Sequence, residues 1–291
     1  MLNGRSDPLA AASRLVVLSP HLDDAVLSCG AILARAAEQG VHTTIATIFN
    51  GSPDGPLSRS ARHFHALCGH GDDAMAHRET EDDLAVEHLG VKSIRLGVPE
   101  ALYRRDASGR HRYANGRTIF RSRPETEMGV AHTVIERLLR TPAVEDTDLL
   151  LAPLGIGSHI DHQIVSVAAR CLRRPVLWYE DIPYALYDNC RGWQAALAPT
   201  DPVIYFASDR HWQMKLDAVG YYASQHPILW EDSALWREVL TTYATSIGGD
   251  KPAERYWNSV RANQSGGLTR SFHTIRDTCD TSELNTPGSE R

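Results

Sequence analysis

The feature that most constrains this chain is an alternation of short apolar runs with longer amphipathic segments between residues 14 and 180. Arg14 to Leu18 (RLVVL) is apolar and β-branched and ends at Ser19-Pro20, the pattern of a buried strand. From Asp24 to Gln39, residues Val26, Leu27, Ile32, Leu33 and Ala36 recur at helical spacing, and Gly40 supplies a C-terminal stop. Val41 to Phe49 (VHTTIATIF) reads as the next strand. Strand, helix and strand in this order give a parallel pair with a right-handed crossover. The pattern continues with a helix at Arg78 to Leu89, stopped by Gly90, and a short strand at Lys92 to Leu96. Met128 to Arg140 is amphipathic, with Val130, Val134 and Leu138 four apart. Asp148 to Pro153 (DLLLAP) reads as a buried strand, His159 to Leu172 as a helix and Pro175 to Tyr179 as a further strand. Such alternation predicts an α/β, Rossmann-like three-layer fold, a mostly parallel sheet with helices on both faces.

Other segments are less regular. Residues 50–76 are polar and rich in Gly, Ser and His, which suggests a long loop or a broken helix, and residues 99–124 are Arg-rich and irregular. Beyond residue 181 a strand is expected at Val203 to Phe206 and a Tyr-rich helix around Lys215 to Ser224. No linker separates these parts, so residues 1–275 are expected to form one domain and residues 276–291, Ser/Thr/Glu-rich, a disordered tail. A chain of 291 residues buries about three quarters of its unfolded surface, enough for a core without staples. The five cysteines are odd in number, widely spaced and free of any C-x-x-C, and are expected to be buried thiols. Met1 to Ala12 contains no apolar run of signal-peptide length, and no stretch reaches the length that spans a bilayer. A cytoplasmic protein is expected. The net charge of −6 argues against general nucleic-acid binding.

The chemistry lies at two strand ends. Ser19-Pro20-His21-Leu22-Asp23-Asp24 follows the first strand, and parallel sheets bind ligands beyond the carboxyl ends of their strands. One imidazole and two carboxylates in four residues form half a site for a cation such as zinc. The plainer alternative is a turn with Asp24 as helix N-cap. Adjacent side chains diverge, so one of Asp23 and Asp24 can hold metal while the other faces the water. The second segment, Gly157-Ser158-His159-Ile160-Asp161-His162, follows the strand at 148–153, and its two histidines share a helical face. Together the segments predict one shared metal site.

A catalytic zinc holds three protein ligands and a water, and His21, Asp24 and His162 fit that pattern. Asp23 is then placed as a general base. His159, protonated and held by a carboxylate such as Asp161, is placed to stabilise an oxyanion or protonate a leaving amine. These parts suit hydrolysis of an amide or ester.

The pair of motifs, Pro20-His21-Leu22-Asp23-Asp24 and His159-Ile160-Asp161-His162, resembles the PIG-L/LmbE-like zinc-dependent N-acetylglucosaminyl deacetylases. The resemblance implies a Rossmann-like sheet, one zinc per chain on His21, Asp24 and His162, Asp23 as base and His159 as the oxyanion or acid residue. Supporting similarities extend over about residues 14–260. Arg78-x-x-Glu81 with Leu89-Gly90 resembles the helix whose Arg faces the sugar, and Leu96-Gly97 with Glu100 resembles the loop after the third strand. Tyr179-Glu180-Asp181-Ile182-Pro183-Tyr184, and Lys215 with Tyr222-Ala223-Ser224-Gln225, resemble elements of bacterial members. Arg78, Glu100 and Tyr184 are therefore the implied substrate-binding residues. Many relatives carry Glu directly after the paired Asp, where this chain has Ala25, so a supporting carboxylate is missing or comes from elsewhere.

The expected activity is removal of an N-acetyl or N-acyl group from an amino-sugar-containing small molecule. Three alternatives stand beside it: an amidase of the same family acting on a thiol–sugar conjugate, a zinc phosphoesterase, and a non-catalytic sugar-binding relative. A homo-oligomer is left open. The run containing His63, His65 and His70 reads as a mobile lid or partner-contact loop rather than a second metal site. The arginines at 104, 105, 110, 112, 117, 121 and 123 read as solvated surface, and Tyr179, Tyr184, Trp193, Tyr221 and Tyr222 mainly as core. No G-x-G-x-x-G or Walker motif is present, so the fold implies no dinucleotide.

Overall fold

The computed structural model describes residues 8–10, 12–69, 71–187 and 202–258. Seven strands form one sheet: β1 (Arg14–Ser19), β2 (His42–Thr47), β3 (Lys92–Arg95), β4 (Leu149–Pro153), β5 (Val176–Tyr179), β6 (Pro202–Phe206) and β7 (Ala253–Asn258). Their order is β3-β2-β1-β4-β5-β7-β6. The five strands from β3 to β5 are parallel, and β7 runs antiparallel to both β5 and β6. Val17 sits in register with Ile45 on one side and Leu151 on the other, so the centre of the sheet is apolar across three strands. The order reverses between β1 and β4. Their loops leave in opposite directions there, which opens a crevice at the carboxyl ends.

The helices are α1 (Asp24–Glu38), α2 (Arg59–Cys68), α3 (Ala74–Leu89), α4 (Met128–Leu139), the short α5 (Pro142–Glu145), α6 (Ile160–Cys171), α7 (Asp209–Gly220), the short α8 (His226–Leu229) and α9 (Trp236–Gly248). Leu15, Val17 and Ile45 of the sheet pack with Val26 and Leu33 of α1, Leu89 of α3 and Leu216 and Val219 of α7. Burying each such side chain contributes about 1.5–3 kcal/mol. α4 and α6 cover the other face, with Val134, Leu138, Ile164 and Val165 buried.

Two differences from the sequence expectations have physical causes. Residues 59–68 are helical, and α3 begins at Ala74 rather than Arg78. The buried positions of α2 are only Ala61, His65 and Cys68, too narrow an apolar stripe to stand out, yet Ser58 caps it and Gly69 at φ 79° ends it. The strand β7 was not anticipated, because Glu254 and Arg255 interrupt its apolar pattern. Glu254 is nonetheless buried. It accepts from the main-chain N–H groups of Ala31 and Ile32, from Tyr256 and from Lys215 Nζ at 2.7 Å. That ion pair ties α7 to α1 and the sheet. Gly30 permits the approach, since a Cβ there would lie 2.7 Å from Lys215 Cγ. The Tyr-rich helix ends at Gly220, and Tyr222 turns inward to donate to Asp82.

Cys29 and Cys68 are buried free thiols and Cys171 is half-buried, while Cys190 and Cys279 lie outside the described residues. The expected domain boundary at 275 and the tail at 276–291 also lie outside them. No helix among the described residues is long and apolar enough to cross a membrane.

Candidate active site

Three parallel strands deliver the site. The turn after β1 and the start of α1 carry His21, Asp23 and Asp24, the turn after β4 and the start of α6 carry His159, Asp161 and His162, and β5 is followed by Asp181. Asp24 does not cap α1. Its Oδ2 accepts from the main-chain N–H of His21 at 2.8 Å and lies 3.1 Å from His21 Nδ1, which folds the turn back on itself. Asp23 occupies the N-cap position without making a side-chain capping bond. After β4, Gly157 has φ 81°, and a Cβ there would fall 2.5 Å from Tyr184 Cγ. Only glycine allows Tyr184 to lie directly on this turn.

The His21, His159 and His162 rings cluster with centroids 4.9 to 5.3 Å apart. His21 presents Nδ1 to Asp24, while its Nε2 lies 3.1 Å from Asp161 Oδ2. His162 presents Nε2 to Asp24 at 3.3 Å, while its Nδ1 lies 2.6 Å from Asp181 Oδ1. His162 Nε2 is buried and has no hydrogen-bond partner. Ligand atoms of His21, Asp24 and His162 lie within 4.8 Å of one another. Each histidine thus turns one nitrogen inward and bonds a buried carboxylate through the other, the arrangement that orients imidazole ligands on a metal.

The charges agree with this reading. Burial disfavours a charged His162, but Asp24 and Asp181 outweigh it and hold the ring up to about 9. Burial is likewise overcome at His21, raised by its bonds to Asp161 and Asp24, and at Asp24, lowered by His162 and His21. The site therefore favours positive charge at the place where a divalent cation would replace the imidazole protons. A second grouping, His21, His159 and Asp161, suits a cation less well. Asp161 already accepts from Ala101 N–H and pairs with the Arg104 guanidinium at 2.6 Å.

Asp23 is 5% exposed, and burial together with the charge of Asp24 pushes its carboxyl up to about 6. His159 differs from the sequence expectation. Its ring is not held by the Asp161 carboxylate; its Nδ1 accepts from the Asp161 main-chain N–H at 3.2 Å. Burial drives it well below the ordinary histidine range, with Asp161 offsetting only part. The ring is therefore neutral, with its proton on Nε2.

The implied substrate residues divide. Arg78 and Glu100 are both buried and paired at 2.6 Å, with Arg78 close enough to Asp23 to lower it electrostatically. Tyr184 is half-buried, edge-on to His162 at 5.4 Å. Phe120, 43% exposed, stands edge-on to His159 at 5.2 Å and to Tyr184 at 6.0 Å. Sequence reasoning missed Phe120, Asp181 and Arg104. Asp181 had a readable signal, a carboxylate just past a third parallel strand.

Two surface expectations are corrected. Arg104 is buried, because Asp161 and Glu127 pair with it, whereas Arg110, Arg112, Arg117, Arg121 and Arg123 are exposed as expected. His65 is no lid residue. It is buried, with Nδ1 2.6 Å from Gly71 O and Nε2 2.8 Å from Tyr103 OH, while His63 is exposed and His70 lies outside the described residues. Tyr179 and Tyr222 are core, as expected, whereas Tyr221 is exposed because it follows the end of α7 on the solvent side, and Trp193 lies outside the described residues. Ala25 is buried, and the carboxylates behind the two histidines come from Asp161 and Asp181.

Residues 16–172, more than half of the chain, match the PIG-L family, described as GlcNAc-PI de-N-acetylase. The chain belongs to the PIG-L family. It is a hydrolase of the deacetylase class, acting on an amide. This PIG-L chain is 30% identical over 274 residues to a 2'-N-acetylparomamine deacetylase of Streptomyces fradiae, covering 90% of this chain and 88% of the relative. A protein of the same description from Niallia circulans is 29% identical over 190 residues, 57% of this chain and 66% of its own. Among solved structures, a zinc-inhibited form of teicoplanin deacetylase superposes with a TM-score of 0.76 at 28% identity, over 87% of this chain and all of that one.

Proposed function

We propose that this chain is a zinc-dependent hydrolase that removes an N-acetyl group from an amino-sugar-containing small molecule, with one zinc per chain on His21, Asp24 and His162. The observation that carries the reading is the buried, unbonded Nε2 of His162, aimed at Asp24 Oδ2 beside the inward-facing Nδ1 of His21. The relatives that deacetylate 2'-N-acetylparomamine and teicoplanin support the substrate class.

Zinc bound there supplies Lewis acidity to the amide carbonyl and to the attacking water. Asp23, adjacent to Asp24 and poised at about 6, accepts the water proton as general base. His159 donates its Nε2 proton as a hydrogen bond to the oxyanion, since its Nδ1 is occupied by the Asp161 N–H. A neutral donor serves this role without adding another cation to the site. Arg78 is fixed by Glu100, and its positive charge favours the ionised form of Asp23. Asp23, once protonated, passes the proton to the departing amine. Phe120 and Tyr184 border the site with an aromatic edge suited to the apolar face of a sugar ring.

An acid-release screen of the zinc-loaded protein tests this reading with 2'-N-acetylparomamine, an N-acylated glycopeptide and N-acetylglucosamine. Acetate and free amine in equal amounts are expected. Release of another acid moves the chain to the amidase alternative, and inorganic phosphate release from phosphoesters to a phosphoesterase. Binding without turnover marks a non-catalytic relative.

A further inference from the structure

The segment from Glu100 to Arg104, after β3, is tied to the site at three points and to the buried His65 at a fourth. Glu100 pairs with Arg78 at 2.6 Å, Ala101 N–H donates to Asp161 Oδ2 at 2.9 Å, Tyr103 OH lies 2.8 Å from His65 Nε2, and Arg104 Nη1 lies 2.6 Å from Asp161 Oδ1. Arg104 is the unexpected member. It comes from a stretch whose other arginines are mostly solvated, yet it is only 7% exposed. Its guanidinium lies over Phe49 at 5.3 Å and Tyr113 at 5.6 Å, and its Nε is 3.3 Å from Glu127.

Burying an ionised carboxylate requires a counter-charge. Asp161 is fully buried, and Arg104 is its nearest cationic partner of fixed charge. The geometry adds a second consequence. Arg104 holds Oδ1 by charge at ion-pair distance and the Ala101 N–H bonds Oδ2, so the two oxygens of the carboxylate have different partners. Oδ2 is also the atom 3.1 Å from His21 Nε2, and His21 Nδ1 at the far side of the ring faces Asp24. An unbroken line of contacts therefore runs from Arg104 through Asp161 to the inward nitrogen of His21.

We infer that Arg104 is a positioning residue for the metal ligand His21, acting through Asp161. It sets the plane of the Asp161 carboxylate, and that plane sets the direction in which His21 presents Nδ1. The inference rests on the zinc site proposed above.

The test measures zinc affinity by chelator competition, and the visible spectrum of the cobalt-substituted protein, for wild type, R104M, R104K, D161N and R104M/D161N. Outer partners of metal ligands typically contribute about 10- to 100-fold in affinity, and R104M is expected to lose that much and to shift the cobalt spectrum. R104K, which keeps a cation for Oδ1, is expected to recover most of the loss. In the D161N background, R104M is expected to cause no further weakening, because interacting residues are non-additive. Wild-type affinity in R104M, or an equal loss in both backgrounds, overturns the inference. If R104M fails to fold, R104Q takes its place in both backgrounds, and wild-type affinity in R104Q overturns the inference. Wild-type protein that binds no zinc overturns the metal reading itself, a result distinct from the failure of Arg104 alone.

Discussion

His162 Nδ1 lies 2.6 Å from Oδ1 of Asp181, and Oδ2 of the same carboxylate accepts from the main-chain N–H groups of Gly155 and Ile156. Asp181 thus joins the end of β5 to the turn after β4 and aims the opposite nitrogen of His162 at Asp24. Removing this carboxylate frees the ring. Asp181→Ala is expected to weaken zinc by about 10- to 100-fold, the usual effect of losing such a partner. Isothermal titration of the metal-free protein with zinc checks it, and unchanged affinity would remove Asp181 from the site.

Asp23→Asn keeps the shape of the side chain and removes the base. Zinc content is expected to stay at one per chain while kcat falls by about 10²–10⁴-fold, the contribution typical of a positioned general base. Metal analysis alongside steady-state kinetics checks both halves. Full activity in this variant would end the assignment.

Phe120 touches the ring of His159 but belongs to an exposed edge. Phe120→Ala is expected to act on substrate binding rather than chemistry. Loss of about 1 kcal/mol of aromatic contact corresponds to a rise in KM of about fivefold with kcat nearly unchanged. A fall in kcat at constant KM would instead place Phe120 in the chemical step.

The ion pair between Lys215 and Glu254 is buried far along the chain from the ligand motifs. Lys215→Met leaves Glu254 charged and short of one partner, and breaking such a pair costs about 3–5 kcal/mol. The lower end is expected, because Glu254 keeps its bonds from Ala31, Ile32 and Tyr256. Denaturant unfolding measures the loss. An unchanged midpoint would show that the pair is neutral to stability.

The centre of the parallel sheet was readable because β1, β4 and β5 are nearly continuous apolar runs with proline at one end, as in RLVVL before Ser19-Pro20. Of the antiparallel pair, β6 was readable at Val203 to Phe206 and β7 was not, because Glu254 and Arg255 in β7 carry partners that only the folded chain supplies. The same contrast holds at the site. His21, Asp24 and His162 stand in two short motifs at strand ends, where residue type and position agree. Asp161 was visible beside His159, but its partners are His21 and Arg104, sequence neighbours of neither. Arg104 was hidden among seven arginines of one segment. Which of them turns inward depends on a buried carboxylate that arrives from another strand.

The central claim is metal-dependent amide hydrolysis at His21, Asp24 and His162. It is tested most directly by following acetate release from 2'-N-acetylparomamine with protein stripped of metal and then titrated with zinc. The expected result is no turnover without metal and activity rising in proportion to zinc up to one equivalent per chain, with no recovery in His162→Ala. Equal acetate release by stripped and zinc-loaded protein would contradict it.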